Sequence, residues 1–155
     1  MSLNSDPVRE SLPPEVLASL GYYVYCLRDP RSGEVFYVGK GRGARAFAHQ
    51  YGVANVGDTS DPAAVRRAKN ARIAEIHASG TTVQHVFIRI EVDEATAFIV
   101  EQAVIDAFRA EGNQLTNVVL GHRSHDLGLQ TVEDLLVRAA PKAPPLPSGA
   151  ILIKI

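Results

Sequence analysis

Two short runs of aromatic and β-branched residues lie on either side of a polar turn near the start of the chain. The runs cover residues 22–27 and 35–38, and the turn, residues 29–33, reads Asp-Pro-Arg-Ser-Gly. Runs of this composition around a Pro/Gly-rich turn are typical of a β-hairpin. Residues 83–92 alternate and are rich in β-branched side chains, so they predict a third strand.

Apolar residues at helical spacing, bounded by capping residues, predict the helices. These are expected over residues 11–20, 44–51, 61–79 and 94–110, with a last helix after residue 131. Asp61 and Asp93 are suitable N-cap residues, and Thr131 with Asp134 three positions later forms a capping-box pattern. A glycine follows three of these helices, which is a common way for a helix to end.

The predicted elements form one α+β domain with flanking segments. After the first helix the order is strand, strand, helix, helix, strand, helix, and three strands with helices against them form a layered α+β fold. We expect an N-terminal helix in residues 1–20, the main domain in 21–121, and a helical extension in 122–140. Residues 141–155 are a Pro-rich linker and a strand-like tail, which we expect to dock on the domain, bind a partner protein or mediate self-association.

Length and composition agree with a single intracellular domain. The chain has 155 residues, of which 46% are hydrophobic, and no run approaches the ~18 apolar residues of a membrane span. The first eight residues are polar and unlike a signal peptide. Cys26 is the only cysteine and has no partner for an internal disulfide, so a cytoplasmic location is expected. Cys26 itself is expected to be a buried strand residue.

Charge is unevenly distributed along the chain, although the net charge is only −1. Residues 39–72 hold seven cations and two anions, a net charge of +5, whereas residues 91–111 hold six anions and one cation, a net charge of −5. A local basic patch suits a phosphate backbone. Two solvated helix faces that offset each other would give the same pattern.

A set of motifs in the main domain resembles the GIY-YIG nuclease family. Tyr23-Val24-Tyr25 and Tyr37-Val38-Gly39 are similar to the two halves of the family's hairpin motif. The matching helix Arg, later Glu and final Asn follow in order as Arg45, Glu101 and Asn117. The resemblance covers residues 21–121, and residues 39–45 are most similar to the branch of LEM-domain-associated nucleases and their bacterial relatives. It implies a small three-stranded antiparallel sheet flanked by helices.

The resemblance also implies a metal-dependent DNA endonuclease. Glu101 matches the Glu that holds one divalent ion, Mg²⁺ or Mn²⁺, and oxygen ligation with few protein contacts suits Mg²⁺. Tyr25 and Tyr37 match the motif tyrosines, and Arg45 matches the Arg that binds the scissile phosphate. His49 lies four residues after Arg45, which places both on one face of a short helix. The residues expected to contact substrate are Tyr23, Gly39, Gly41, Arg42 and Asn117.

The residues themselves leave other interpretations open. Glu101 lies in an apolar helical stripe, where a carboxylate is costly unless it is paired or bound to a metal, but it could also lie at the rim and bond to a strand. A phenol is a poor base unless a cation stabilises its phenolate, and Lys40 is well placed to do so for the motif tyrosines. Cross-strand aromatic packing is the alternative, and it suits Tyr22 and Tyr23 better. Asn117 could orient the site or cap a turn.

Two departures from the family pattern concern the phosphate contact and the first motif glycine. Many relatives place the Arg two residues later, where this chain has Phe47; a shorter Gly-rich connection explains the shift, and Arg42 is a rival. Tyr23 replaces the first glycine of the motif. Gly39–Gly43 lacks the Ser/Thr of a nucleotide-binding loop, and His122 with His125 is weak as a metal pair.

Three functions therefore compete at the level of sequence. The first is the endonuclease; the second is a non-catalytic nucleic-acid-binding module on the same fold; the third is a protein-interaction domain with its partner site in the tail. Branched, damaged, foreign and single-stranded DNA are all compatible substrates, and so is RNA.

Overall fold

Three strands form one antiparallel sheet with helices on both faces. The computed structural model describes residues 12–48, 63–117 and 128–139. Its elements are α1 (Pro14–Ser19), β1 (Tyr22–Arg28), β2 (Val35–Arg42), a 3₁₀ helix (Gly43–Phe47), α2 (Ala63–Ala78), β3 (Gln84–Val92), α3 (Glu94–Ala110) and α4 (Val132–Ala139). The expected α+β class is confirmed. No helix within these ranges has the length and apolar character needed to span a bilayer.

β1 is the central strand, and the strand order is β2-β1-β3. In the hairpin, Tyr25 lies opposite Gly39 and Leu27 lies opposite Tyr37, but Arg28 then pairs with Val35. This register shift leaves Phe36 as an extra residue, as in a β-bulge. Phe36 and Tyr37 consequently both pack into the same core cluster.

Alternation along β1 divides the core into two layers. Tyr23, Tyr25 and Leu27 pack with residues of α1, α2 and the 3₁₀ helix. Val24 and Cys26 pack on the other face, against α3. Because both faces are covered, β1 is apolar without a break rather than alternating apolar and polar. Cys26 is a buried strand residue as expected, and burial raises the pKa of its thiol.

The caps expected at two helices are present. The Asp93 carboxylate accepts a hydrogen bond of 2.8 Å from the Thr96 backbone N–H at the start of α3. At α4, the Asp134 backbone N–H donates to the Thr131 hydroxyl, and the Thr131 backbone N–H donates to the Asp134 carboxylate. This reciprocal pair is a capping box. Asp61, the cap expected for the helix over residues 61–79, lies outside the described residues.

The segment after the hairpin differs from the expected connection and α-helix. β2 continues through Arg42, so residues 39–42 are strand rather than a Gly-rich connection, and a 3₁₀ helix over Gly43–Phe47 follows. The 3₁₀ helix ends at Phe47, before His49, so the expected alignment of Arg45 with His49 stays a prediction. His49, His122 and His125 lie outside the described residues, as does the tail 141–155.

An ion-pair network ties α2 to the turn of the hairpin. The Asp29 carboxylate, 1% exposed, accepts hydrogen bonds from the Arg31 guanidinium and lies 3.0 Å from that of Arg72. Both arginines also pair with Glu75. The hydrogen bonds from Arg31 are the main reason why the pKa of Asp29 falls to about 2.

This network predicts a loss of stability in acid. Since the pKa of Asp29 is lower in the folded chain than in the unfolded chain, where it is about 4, the carboxylate stabilises the fold above that value. We expect this contribution to be lost as the pH falls from about 4 to about 2. Urea unfolding across this range should show a weaker pH dependence for Asp29→Asn than for the wild type. Glu34→Gln, which removes an exposed carboxylate from the same turn, is the matched control; an equal effect of the two substitutions would contradict the assignment.

Candidate active site

Two glycines of β2 make room for tyrosine rings. A Cβ atom on Gly39 would lie 2.7 Å from the Tyr37 hydroxyl oxygen, and one on Gly41 would lie 2.9 Å from the Tyr23 ring. Residues two apart on a strand share a face, so the Tyr-Val-Gly spacing places Tyr37 directly over its own glycine. Gly39 and Gly41 are buried and make room for these rings, and their expected contact with substrate stays a prediction.

Tyr23 connects β1 to the 3₁₀ helix. Its side chain is fully buried, and its hydroxyl donates to the Gly43 carbonyl at 2.7 Å and accepts from the Ala46 backbone N–H at 3.0 Å. Burial raises the pKa of Tyr23, although the hydrogen bond from Ala46 and the charge of Arg45 act in the opposite direction. A buried hydroxyl engaged in this way is a support for the helix that carries Arg45. The expected contact of Tyr23 with substrate stays a prediction.

Tyr25 and Tyr37 form an aromatic cluster with Tyr23. The rings of Tyr25 and Tyr37 have centroids 6.0 Å apart, and those of Tyr23 and Tyr25 are 5.9 Å apart in an edge arrangement. Only 1% of Tyr25 and 2% of Tyr37 is exposed. The rings thus pack across the strands, while the chemistry expected of the Tyr25 and Tyr37 hydroxyls stays a prediction.

Glu101 and Asn117 cover the outer edge of β2. β2 has a sheet neighbour on one side only, so its outward-facing backbone groups need other partners. The half-buried Glu101 accepts a hydrogen bond of 2.9 Å from the Lys40 backbone N–H. Asn117 accepts from the Val38 backbone N–H at 3.0 Å and donates to the Val38 carbonyl at 2.8 Å.

The contacts at the edge of β2 bear on the alternatives that the sequence left open for Glu101 and Asn117. Glu101 lies at the rim of the apolar stripe of α3, which includes the buried Ile105, and accepts a hydrogen bond from β2. This geometry agrees with the alternative interpretation, in which Glu101 lies at the rim and bonds to a strand. Asn117, 8% exposed, acts on the strand that carries Tyr37 rather than capping a turn. Together they hold the last part of β2 in place through side chains that come from later in the chain.

The cation beside Tyr37 is not the expected one. Lys40 lies on the opposite face of β2 from Tyr37, and its ammonium pairs with Glu94 of α3 at 3.2 Å. Lys69 of α2 instead places its Nζ 4.2 Å from the centroid of the Tyr37 ring. Lys69 is 1% exposed and lies in the buried stripe of α2. The sequence feature that could have identified Lys69 is the apolar stripe of α2, in which this lysine occupies an apolar position.

Arg45 and Arg42 lie in different environments. Arg45 is half-buried on the 3₁₀ helix, on the side of the sheet that holds the tyrosine cluster. Arg42 is exposed, and its guanidinium carbon lies 5.5 Å from the centroid of the Tyr22 ring. The basic patch is smaller on the surface than in the sequence, because Lys69 is buried and Arg72 is paired with Asp29 and Glu75.

Glu101 offers the chemistry of a simple magnesium site. Within the part of the chain that the structure describes, no group of three or more His, Cys, Asp or Glu side chains could hold a metal ion. Mg²⁺ does not require such a cage, because it keeps several waters and is commonly held by one or two carboxylates together with substrate phosphate. A single half-buried carboxylate therefore fits Mg²⁺ and does not fit a structural zinc site.

Comparison with known protein families gives a match over most of the domain. The profile of the LEM-3-like GIY-YIG domain matches residues 32–130, and no curated protein and no solved structure matches. The matched range includes Tyr37, Arg45, Glu101 and Asn117, whereas Tyr25 precedes it and is joined to it by the β1–β2 pairing. More than half of the chain is covered. The chain belongs to the LEM-3-like GIY-YIG domain family, a family of nuclease-type domains.

Proposed function

We propose that this protein is a metal-dependent endonuclease that hydrolyses phosphodiester bonds in DNA. The observation that carries the proposal is the convergence of the family's residues on one strand. Tyr37 lies on β2, and the carboxylate of Glu101 is bonded to the backbone of Lys40 three residues along the same strand. Asn117 hydrogen-bonds to both backbone groups of Val38, which lies between Tyr37 and Lys40. The distance between Tyr37 and the Glu101 carboxylate therefore depends on the backbone geometry of β2.

In the proposed reaction a water oxygen forms a bond to phosphorus and the bond from phosphorus to the 3′-oxygen breaks. The proton of the water passes to the phenolate oxygen of Tyr37, directly or through a relay, which leaves Tyr37 as the neutral phenol, and the leaving oxygen takes a proton from solvent. Arg45 neutralises charge on the phosphate. Tyr25 packs on Tyr37 and limits the positions that its ring can occupy.

Glu101 would hold the metal ion, Mg²⁺ or Mn²⁺. The ion would supply positive charge to the leaving 3′-oxygen. The hydrogen bond from Lys40 fixes the position of the Glu101 carboxylate before any ligand arrives. Preorganisation of this kind avoids the cost of ordering the carboxylate during the reaction.

The assignment of the phosphate contact gives a ranking of two arginines. We expect Arg45→Ala to lower the cleavage rate by about 10²-fold or more, and Arg42→Ala to lower it by less than about tenfold. The reason is that Arg45 lies with the tyrosine cluster, whereas Arg42 packs over Tyr22 on the other face. Single-turnover cleavage rates check the ranking, and a reversed order would transfer the phosphate contact to Arg42.

The proposed activity is tested with labelled duplex, nicked, flap, junction and single-stranded DNA, and with RNA of matching sequence. Each substrate is incubated with Mg²⁺, with Mn²⁺ and with a chelator. Cleavage of DNA that depends on the metal supports the proposal, and the preferred substrate identifies the structure recognised. Binding without cleavage would favour the nucleic-acid-binding module, and the absence of both would favour a protein-interaction domain.

A further inference from the structure

A buried lysine lies against the tyrosine that the proposed reaction uses. Lys69 is 1% exposed, and its Nζ is 4.2 Å from the centroid of the Tyr37 ring. A cation over the face of an aromatic ring is attracted by the ring's quadrupole, and the attraction is larger when both are removed from water. The contact therefore joins α2 to β2 at Tyr37 itself.

Packing alone gives no reason for a lysine at this position. The buried residues of α2 are Val65, Lys69, Ile73 and Ile76, spaced four, four and three residues apart along one face. An apolar side chain at 69 would complete this stripe, and a buried charge is costly compared with an apolar residue of similar size. A cation that replaces an apolar residue beside a candidate catalytic group points to a role in the reaction.

The position of Lys69 is fixed from both sides. Arg72, one turn further along α2, is bound to Asp29 in the hairpin turn, and Ile73 packs in the core. The Tyr37 ring packs against Tyr25 and fills the space that Gly39 leaves by having no side chain. Neither partner can move away from the contact without breaking these interactions.

We propose that Lys69 is a positioning residue that holds the Tyr37 ring and favours its phenolate. The proposal rests on the proposed function, in which the Tyr37 oxygen receives the proton of the attacking water. A nearby positive charge favours the ionised form of a phenol. Among the described residues, titratable or charged groups on this side of the sheet include Tyr23 and Tyr25 from β1, Arg45 from the 3₁₀ helix, and His85 from β3, whose ring centroid lies 4.9 Å from that of Phe47.

The test measures ionisation of Tyr37 separately from cleavage. Tyrosinate absorbance is titrated in the full chain, which has five tyrosines, and the difference between the wild type and Tyr37→Phe isolates the Tyr37 transition. We expect Lys69→Met to move this transition to higher pH by about one unit or more, and Lys69→Arg, which keeps the charge, to move it much less. Arg67→Met, which removes an exposed charge from the same helix, should leave the transition in place.

Cleavage assays then connect the contact to the reaction. Lys69→Met should lower the rate near neutral pH by about tenfold or more and shift the rising limb of the pH–rate profile in the same direction as the titration. Thermal unfolding of Lys69→Met is measured alongside, so that a loss of rate is separated from a loss of the fold. The proposal is wrong if the Tyr37 transition of Lys69→Met occurs at the same pH as that of the wild type. It is also wrong if Lys69→Met does not fold. If the wild-type chain does not cut DNA, the proposed function fails, and the titration still decides the coupling of Lys69 to Tyr37.

Discussion

Glu101→Gln is expected to lower metal-dependent cleavage by at least about 10²-fold, because the charge that would hold the metal is lost. The substitution keeps the shape of the side chain and an oxygen that can accept the hydrogen bond from the Lys40 backbone N–H. The edge of β2 should therefore stay intact, and the melting temperature and DNA affinity should change little. Single-turnover cleavage in Mg²⁺ and in Mn²⁺, with thermal unfolding alongside, measures both effects.

The matched control is Glu111→Gln, which removes an exposed carboxylate at the end of the same helix. It should cleave at the wild-type rate. If Glu101→Gln also cleaves at the wild-type rate in Mg²⁺, the assignment of the metal to Glu101 is wrong, and the carboxylate serves the edge of β2 alone.

Tyr37→Phe is expected to lower the chemical step by about 10²–10⁴-fold with little change in DNA affinity. Only the phenolic oxygen is removed, so the ring still packs on Tyr25 and under Lys69. Rapid-quench single-turnover rates and fluorescence anisotropy with labelled DNA separate chemistry from binding.

Tyr23→Phe is the natural comparison, because it also removes one hydroxyl from the same cluster. That hydroxyl bridges Gly43 and Ala46, so its loss should destabilise the fold by about 1–3 kcal/mol and affect the rate much less than Tyr37→Phe. Equal losses of rate at the two positions would mean that the roles of these tyrosines cannot be assigned from the motif.

Local patterns in the sequence predicted most of the elements. The bounds of α3 agree at both ends, because Asp93 provides an N-cap and Gly112 follows the last turn. The hairpin followed from its turn residues. The predicted end of β2 was wrong, because glycine usually weakens a strand. Here β2 continues through Gly39 and Gly41, and the rings of Tyr37 and Tyr23 pack over these two glycines.

The candidate site was harder to predict because its contacts are long-range. The motif supplied Tyr37, Glu101 and Asn117, but the bonds of Glu101 and Asn117 to β2 cross 61 and 79 residues of sequence, and no local pattern encodes them. Lys40 is close to Tyr37 in sequence, whereas the contact of Lys69 with Tyr37 crosses from α2 to β2. The face on which each lysine lies depends on the packing of α2, which a single sequence does not specify.

The covering of β2 by Glu101 and Asn117 has a consequence for the order of events during synthesis. The hairpin is complete at Arg42, but its outer edge is satisfied only when α3 and Asn117 have left the ribosome, about 75 residues later. At about 5–20 residues per second, several seconds pass in which that edge can pair with another nascent chain. A chain that ends before Asn117 cannot cover the outer edge of β2 in this way. We therefore expect fragments that stop within α3 to aggregate.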